Sequence, residues 1–153
     1  MVQFSNSLLI QANVKDVFRF LERMENFSIW NYAVRRVEKI PSSGDVVGSR
    51  YQLLRNQGVQ AFEEITITEY IRDSRLVLES IGNHFSYSMT YDLIPQSSGF
   101  TRLINKSEIQ TSGINNVIFG FMQGNVKREV NQNLHVLKDI LDDDKDRNSW
   151  HVK

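Results

Sequence analysis

Between residues 85 and 93 the chain alternates without a break: Phe85, Tyr87, Met89, Tyr91 and Leu93 are separated by Ser86, Ser88, Thr90 and Asp92. Successive side chains of an extended chain point to opposite faces, so a period of two gives a strand with one aromatic, apolar face and one polar face. A helix of the same residues would scatter the rings around its circumference. The segment therefore belongs in a sheet that is covered on one side and wet on the other, which is the usual state of antiparallel sheets. The next run repeats the pattern, with Thr101, Leu103, Asn105, Ser107 and Ile109 opposed to Arg102, Ile104, Lys106, Glu108 and Gln110. Its inner face mixes apolar side chains with small polar ones.

Turn clusters divide the rest of the middle of the chain. Pro41-Ser-Ser-Gly, Asn56-Gln-Gly, Arg72-Asp-Ser, Gly82-Asn and Gln96-Ser-Ser-Gly separate runs of β-branched and aromatic residues from Ala33 to Gln110. That spacing predicts six consecutive antiparallel strands joined by hairpins. Ahead of them, Val2 to Gln11 reads as a further strand. Asn13 then caps a short helix with Val14, Val17, Phe18 and Leu21 on one face, and Asp16 suits its positive end. A second helical turn spans Asn26 to Trp30. From Asn116 to Leu141 the residues Phe119, Met122, Val126, Val130, Leu134, Leu137 and Leu141 recur at spacings of three and four, a long amphipathic helix. Its stripe must lie on the sheet, leaving Arg128, Gln132, His135 and Asp139 to solvent. Asp142-Asp-Asp crowds the negative helix end, so the helix is expected to stop there. The reading is an α+β chain with one domain over residues 1–141 and a frayed tail over 142–153.

Composition narrows the functions. A chain of 153 residues, 41% hydrophobic, can bury a core without staples. Eighteen basic and 18 acidic residues give a formal net charge of zero, so no global field draws in nucleic acid. Arg35-Arg36 and Lys39 form a short basic run that reads as a solvated strand edge. There is no cysteine, which excludes disulfides, thiolate metal sites and a Cys nucleophile. The start of the chain lacks a signal-peptide pattern and no run of about 18 apolar residues occurs, so a cytoplasmic protein without integral membrane contact is expected. His84, His135 and His151 are too scattered for a metal or catalytic unit, and no phosphate loop, dinucleotide fingerprint or nucleophile elbow is present. Neither metal nor cofactor is expected.

The order of elements resembles the START-like helix-grip superfamily (SRPBCC), which includes Bet v 1-type allergens and bacterial polyketide cyclase/dehydrase-like proteins. The opening strand followed by Asn13 to Phe18, the Asn26-Phe-Ser-Ile-Trp30 turn, Val47-Gly48, the Ile67-Thr-Glu69 and Arg75-Leu-Val hairpin, and Gly99-Phe-Thr-Arg-Leu103 are similar to that family's segments. The match spans residues 2 to 141. It departs at Asn13, where the family usually has proline. The resemblance implies a seven-stranded curved sheet wrapped around the long C-terminal helix, with two short helices between the first two strands, and a cavity between sheet and helix for an apolar small molecule.

Within such a cavity, Phe85, Tyr87, Met89, Tyr91, Leu103, Asn105 and Ile109 line the sheet side, and Phe119, Met122 and Val126 face them from the helix. Gln123 lies near that stripe, and Trp30 either closes the mouth or, the stronger expectation, anchors its helix. Ile65 and Ile67 put Glu63 on the concave side, either as a buried acid or base or in a pair with Arg50 or Arg55. The expected function is binding or transport of a lipid, polyketide, isoprenoid or quinone, with Tyr87, Tyr91 and Asn105 orienting its polar end. The alternatives are a polyketide cyclase/dehydrase-like enzyme using Glu63, Tyr87 or Tyr91, and a protein-interaction module acting through Trp150 or the Arg35-Arg36 edge.

Overall fold

The computed structural model describes residues 1–42, 44–56, 62–82, 84–111 and 115–143, the side chains of 111–124 excepted. Seven strands make one antiparallel sheet: β1 (Val2–Ile10), β2 (Val34–Lys39), β3 (Arg50–Arg55), β4 (Phe62–Ile71), β5 (Arg75–Ile81), β6 (Phe85–Pro95) and β7 (Thr101–Thr111). Their order across the sheet is β1-β7-β6-β5-β4-β3-β2. Strands β2 to β7 form an uninterrupted meander, each paired antiparallel with the next in sequence. The first strand then pairs with the last, and this is the helix-grip arrangement.

Between β1 and β2 the chain forms α1 (Val14–Glu22), a single 3-10 turn (Met24–Asn26) and α2 (Phe27–Trp30). Asn13 starts α1 as its spacing predicts, its side chain accepting from the Asp16 amide at 2.9 Å. Val17, Phe18, Phe20 and Leu21 bury the inner face of α1, and Phe18 meets Tyr70 of β4 edge-on at 5.3 Å.

Tyr70 can face inward only because β4 changes phase. Glu63, Ile65 and Ile67 point to the core at odd positions, and the pairing with β5 then shifts between Ile67 and Glu69. One extra residue at such a bulge moves the following side chains to the opposite face and bends the strand. Beyond it Tyr70 pairs with Leu76 and packs on the core.

The long helix, α3 (Asn115–Asp142), runs along β1. Leu134, Leu137 and Leu141 are buried while Arg128, Gln132, His135 and Asp139 are exposed, the division that the spacing of apolar residues predicts. Val126 and Val130 are half-buried. The helix ends at Asp142, whose carboxylate does more than oppose the dipole: it takes the Lys138 ammonium and accepts from the Gln11 amide at 2.7 Å, tying the helix end to the end of β1. At the far edge of the sheet β2 carries exposed Arg35 and Arg36, with Arg36 paired to Glu38. No described helix is long and apolar enough to cross a membrane.

Candidate functional site

Strand pairing lines the inner side chains up in rows that cross the sheet. One row runs Leu8, Leu103, Leu93 over β1, β7 and β6. The next runs Asn6, Asn105, Tyr91 and then Leu76 on β5. A third runs Phe4, Ser107, Met89, Leu78, and a fourth Val2, Ile109, Tyr87, Ser80. Polarity thus enters the inner face one row away from an all-leucine row.

Burial changes along the same direction. Tyr91 and Leu93 of β6 are fully buried, whereas Phe85, Tyr87 and Met89, on the same strand and the same face, are only half-buried. Their strand is internal to the sheet, with β7 on one side and β5 on the other, so an edge does not explain their remaining surface. Phe85 and Tyr87 stack on each other with ring centres 6.2 Å apart. Trp30 is 3% exposed and its ring stands perpendicular to Tyr91 at 6.4 Å and against Phe27 at 4.6 Å. It anchors α2 on the sheet.

Charge is concentrated at one point. The Glu63 carboxylate is completely buried and accepts from Arg55 Nε at 2.5 Å and from Arg55 Nη2 at 3.2 Å, a bidentate pair. Of the two arginines that the sequence offers as partners, Arg50 goes instead to Glu64 on the outer face at 3.0 Å. Tyr87 completes the group. Burial first and the nearby Glu63 charge second push its phenol well above the ordinary tyrosine range, so it stays protonated beside the carboxylate. Burial opposes the charge on Arg55, but the hydrogen bonds and charges of Glu63 and Tyr87 together outweigh it and hold the guanidinium ionised. Tyr91 is likewise pushed upward, by burial and then by Tyr87.

Around Met89 the polar side chains converge. Ser107 Oγ lies 3.3 Å from Met89 Sδ, Asn105 Nδ2 3.9 Å and Tyr91 Oη 4.0 Å. Ser107 also donates to Asn105 Oδ1 at 3.2 Å, which fixes the amide with its nitrogen toward the sulfur. Beside Asn105, Asn6 is 8% exposed and its Nδ2 has no hydrogen-bond partner among the described residues. Asn6 is absent from the candidates that the sequence suggests. Its signal was a polar residue at an inner position of a period-two strand, between Phe4 and Leu8.

Of the other candidates, Leu103 and Ile109 are buried in their rows and Val126 is half-buried on α3. The side chains of Phe119, Met122 and Gln123 lie outside the described residues, as do His151 and Trp150. His84 and His135 are exposed. A depression of about 210 Å³ that opens to solvent is lined by Glu79, Ile81, Ser86, Ser88, Glu108 and Gln110, and also by Ser80 and Tyr87 of the fourth row.

A meander closed by its first strand has known counterparts. The family model described as polyketide cyclase / dehydrase and lipid transport matches residues 1–142. The chain belongs to that family. Solved structures agree on the fold of this family member: a START superfamily protein from Mycobacterium smegmatis superposes with a TM-score of 0.74 at 12% identity, over 92% of this chain and 99% of that one. A hypothetical protein from Helicobacter pylori gives 0.74 at 10% identity, over 91% and 87%. A Thermus thermophilus protein gives 0.71 at 16%, over 90% and 94%. No curated protein matches the chain. At these identities the neighbours establish the helix-grip fold and nothing about ligands.

Proposed function

We propose that this family member binds and carries an apolar small molecule of the lipid, polyketide, isoprenoid or quinone class, in the cytoplasm, in the space over the Phe85, Tyr87 and Met89 end of the inner face. The observation that carries the reading is the half-burial of these three residues on an internal strand whose other end is fully buried. A close-packed core would cover them as it covers Leu93. Aromatic and thioether walls with a few fixed polar groups suit a small-molecule site, since apolar area gives affinity and isolated polar atoms give orientation. Burial of ligand surface contributes roughly 25 cal/mol per Å². On this reading Tyr87, Met89, Tyr91 and Asn105 contact the ligand from the sheet, Phe85 stacks at the outer end, Trp30 backs Tyr91, and Val126 contributes from the helix. Glu63 shapes the wall through Arg55.

The enzymatic reading rests on the Arg55, Glu63 and Tyr87 cluster. Both carboxylate oxygens of Glu63 are engaged by Arg55, and the Tyr87 phenol is held protonated, so the cluster presents no free base to a ligand. This favours carriage over turnover. The test is native mass spectrometry of protein purified from its own host, beside organic extraction of the same sample. A stoichiometric adduct, recovered in the extract as an apolar molecule of the stated class, is the expected result. A bare chain mass with nothing enriched in the extract, and no uptake of any added lipid, isoprenoid or quinone, would contradict it.

A further inference from the structure

Tyr91 and Asn105 come from two neighbouring strands and their donors face one atom, Met89 Sδ, at 4.0 and 3.9 Å, while Ser107 Oγ, 3.3 Å from the same sulfur, donates its one hydrogen to Asn105 Oδ1. A thioether sulfur is a weak acceptor, so these are poor hydrogen bonds for groups so deeply buried. Asn105 gains only a long contact to the Thr90 carbonyl at 3.5 Å besides. In the adjacent position across the sheet, Asn6 adds a buried amide nitrogen with no partner among the described residues. Buried donors left in this state are costly unless something fills them. What is missing is an acceptor.

The chemistry of that acceptor is restricted. No charged side chain stands in the Asn6, Asn105, Tyr91 row or in the Phe4, Ser107, Met89 row beside it, and the guanidinium of Arg55 is already paired with Glu63. A carboxylate seated here would be buried without a counter-charge. A neutral oxygen with two lone pairs would satisfy two donors at once and bring little desolvation cost. Met89, unbranched and half-buried at the boundary of the open end, is the side chain able to swing aside and give up its place.

We propose that the donors gathered around Met89 Sδ form a seat for the carbonyl oxygen of a neutral apolar ligand, a ketone, ester or quinone, which enters carbonyl first and displaces the sulfur. This rests on the ligand-binding reading above and adds the ligand's functional group to it. The oxygen accepts from Asn105 Nδ2 and the Tyr91 hydroxyl, with Asn6 Nδ2 as the further donor, while Ser107 keeps Asn105 turned the right way. A hydrocarbon tail then lies over Met89, Tyr87 and Phe85.

The test uses three matched twelve-carbon probes on the full chain: a methyl ketone with a labelled carbonyl carbon, the isosteric alkene with CH2 in place of the oxygen, and the carboxylic acid. Affinity is measured by calorimetry and the ketone's carbonyl stretch by isotope-edited infrared spectroscopy. The ketone should bind with its band lowered from the hydrocarbon-solvent position. Asn6→Ala and Asn105→Ala should each weaken the ketone about fivefold, the weight of one neutral hydrogen bond, raise the band, and leave the alkene's affinity where it was. Met89→Leu, a volume-conserving change that removes the competing sulfur, should lower the band further, which keeps the test valid if an asparagine variant fails to fold. A ketone and alkene bound equally, with the carbonyl band at its hydrocarbon position, would overturn the carbonyl seat and leave ligand binding intact. Preference for the acid would overturn it in the same way. Failure of all three probes to bind would overturn both readings.

Discussion

The two ends of the inner face are built on the same strands and behave differently. At one end Leu8, Leu103 and Leu93 form a continuous apolar row, and Leu134, Leu137, α1 and Trp30 belong to the same buried cluster. At the other, Tyr87 and Met89 keep part of their surface, a carboxylate and a guanidinium meet, and amide and hydroxyl donors crowd a sulfur. Strand geometry cannot account for the contrast, since β6 and β7 pair in unbroken register through both ends. Side-chain chemistry does. Leucines interdigitate and expel every gap, whereas polar groups on an inner face have to be kept supplied with partners. The closed end holds the fold together, and the open end is where the proposed ligand would sit.

The strongest way to break this division is to empty the closed end. Leu103→Ala should cost about 3 kcal/mol of stability in urea unfolding, because a fully buried leucine leaves a cavity behind, and should leave probe binding by the folded molecule unchanged. A large loss of binding at full occupancy of the folded state would merge the two regions. Next comes Glu63→Gln, which strips a buried charge from Arg55. Arg55 keeps about a fifth of its side-chain surface in water (21%), so the loss should be about 2 kcal/mol, less than for a fully buried pair, and ligand affinity should fall as well.

Alkali sharpens the comparison through the phenols. Burial raises the native pKa of Tyr87 and Tyr91 above the ordinary value of 10.0. The unfolded chain therefore ionises first. The stabilisation is complete below about pH 10 and is lost as pH climbs toward the native values, at about 1.4 kcal/mol per pH unit for each phenol that ionises only when unfolded. Stability measured across this range should fall less steeply in Tyr87→Phe than in the parent chain. Equal slopes would mean that Tyr87 is not held neutral. The smallest effect on stability is expected from Met89→Leu, under about 1 kcal/mol, because the open end is not packed tightly enough to resist a change of shape.

The closed end was legible in the sequence and the open end only partly so. Period-two alternation placed β6 and β7 and put Tyr91, Leu103 and Asn105 inward, and spacings of three and four divided Leu134 and Leu137 from His135 and Asp139, because these patterns are imposed by burial itself. Glu63 was placed on the concave side by Ile65 and Ile67, but spacing could not choose between Arg50 and Arg55. That choice depends on which face each arginine takes once β3 pairs with β4, and Arg50 falls outward opposite Thr66. The bulge that turns Tyr70 inward left no mark in the local pattern, since it is a property of pairing. Asn6 was missed because one polar residue in an apolar alternation reads as noise until its neighbour across the sheet proves to be Asn105.

Two methionines offer the most direct measurement. Met24 is 1% exposed and belongs to the buried cluster, whereas Met89 is half-buried at the centre of the open end. With methyl-labelled methionine, titration with the twelve-carbon ketone can be followed by NMR at both sites in one sample. A saturable shift of the Met89 methyl, with the Met24 methyl unmoved, is the result this account predicts. Equal movement of both, or none at Met89 while the ketone binds, would contradict it.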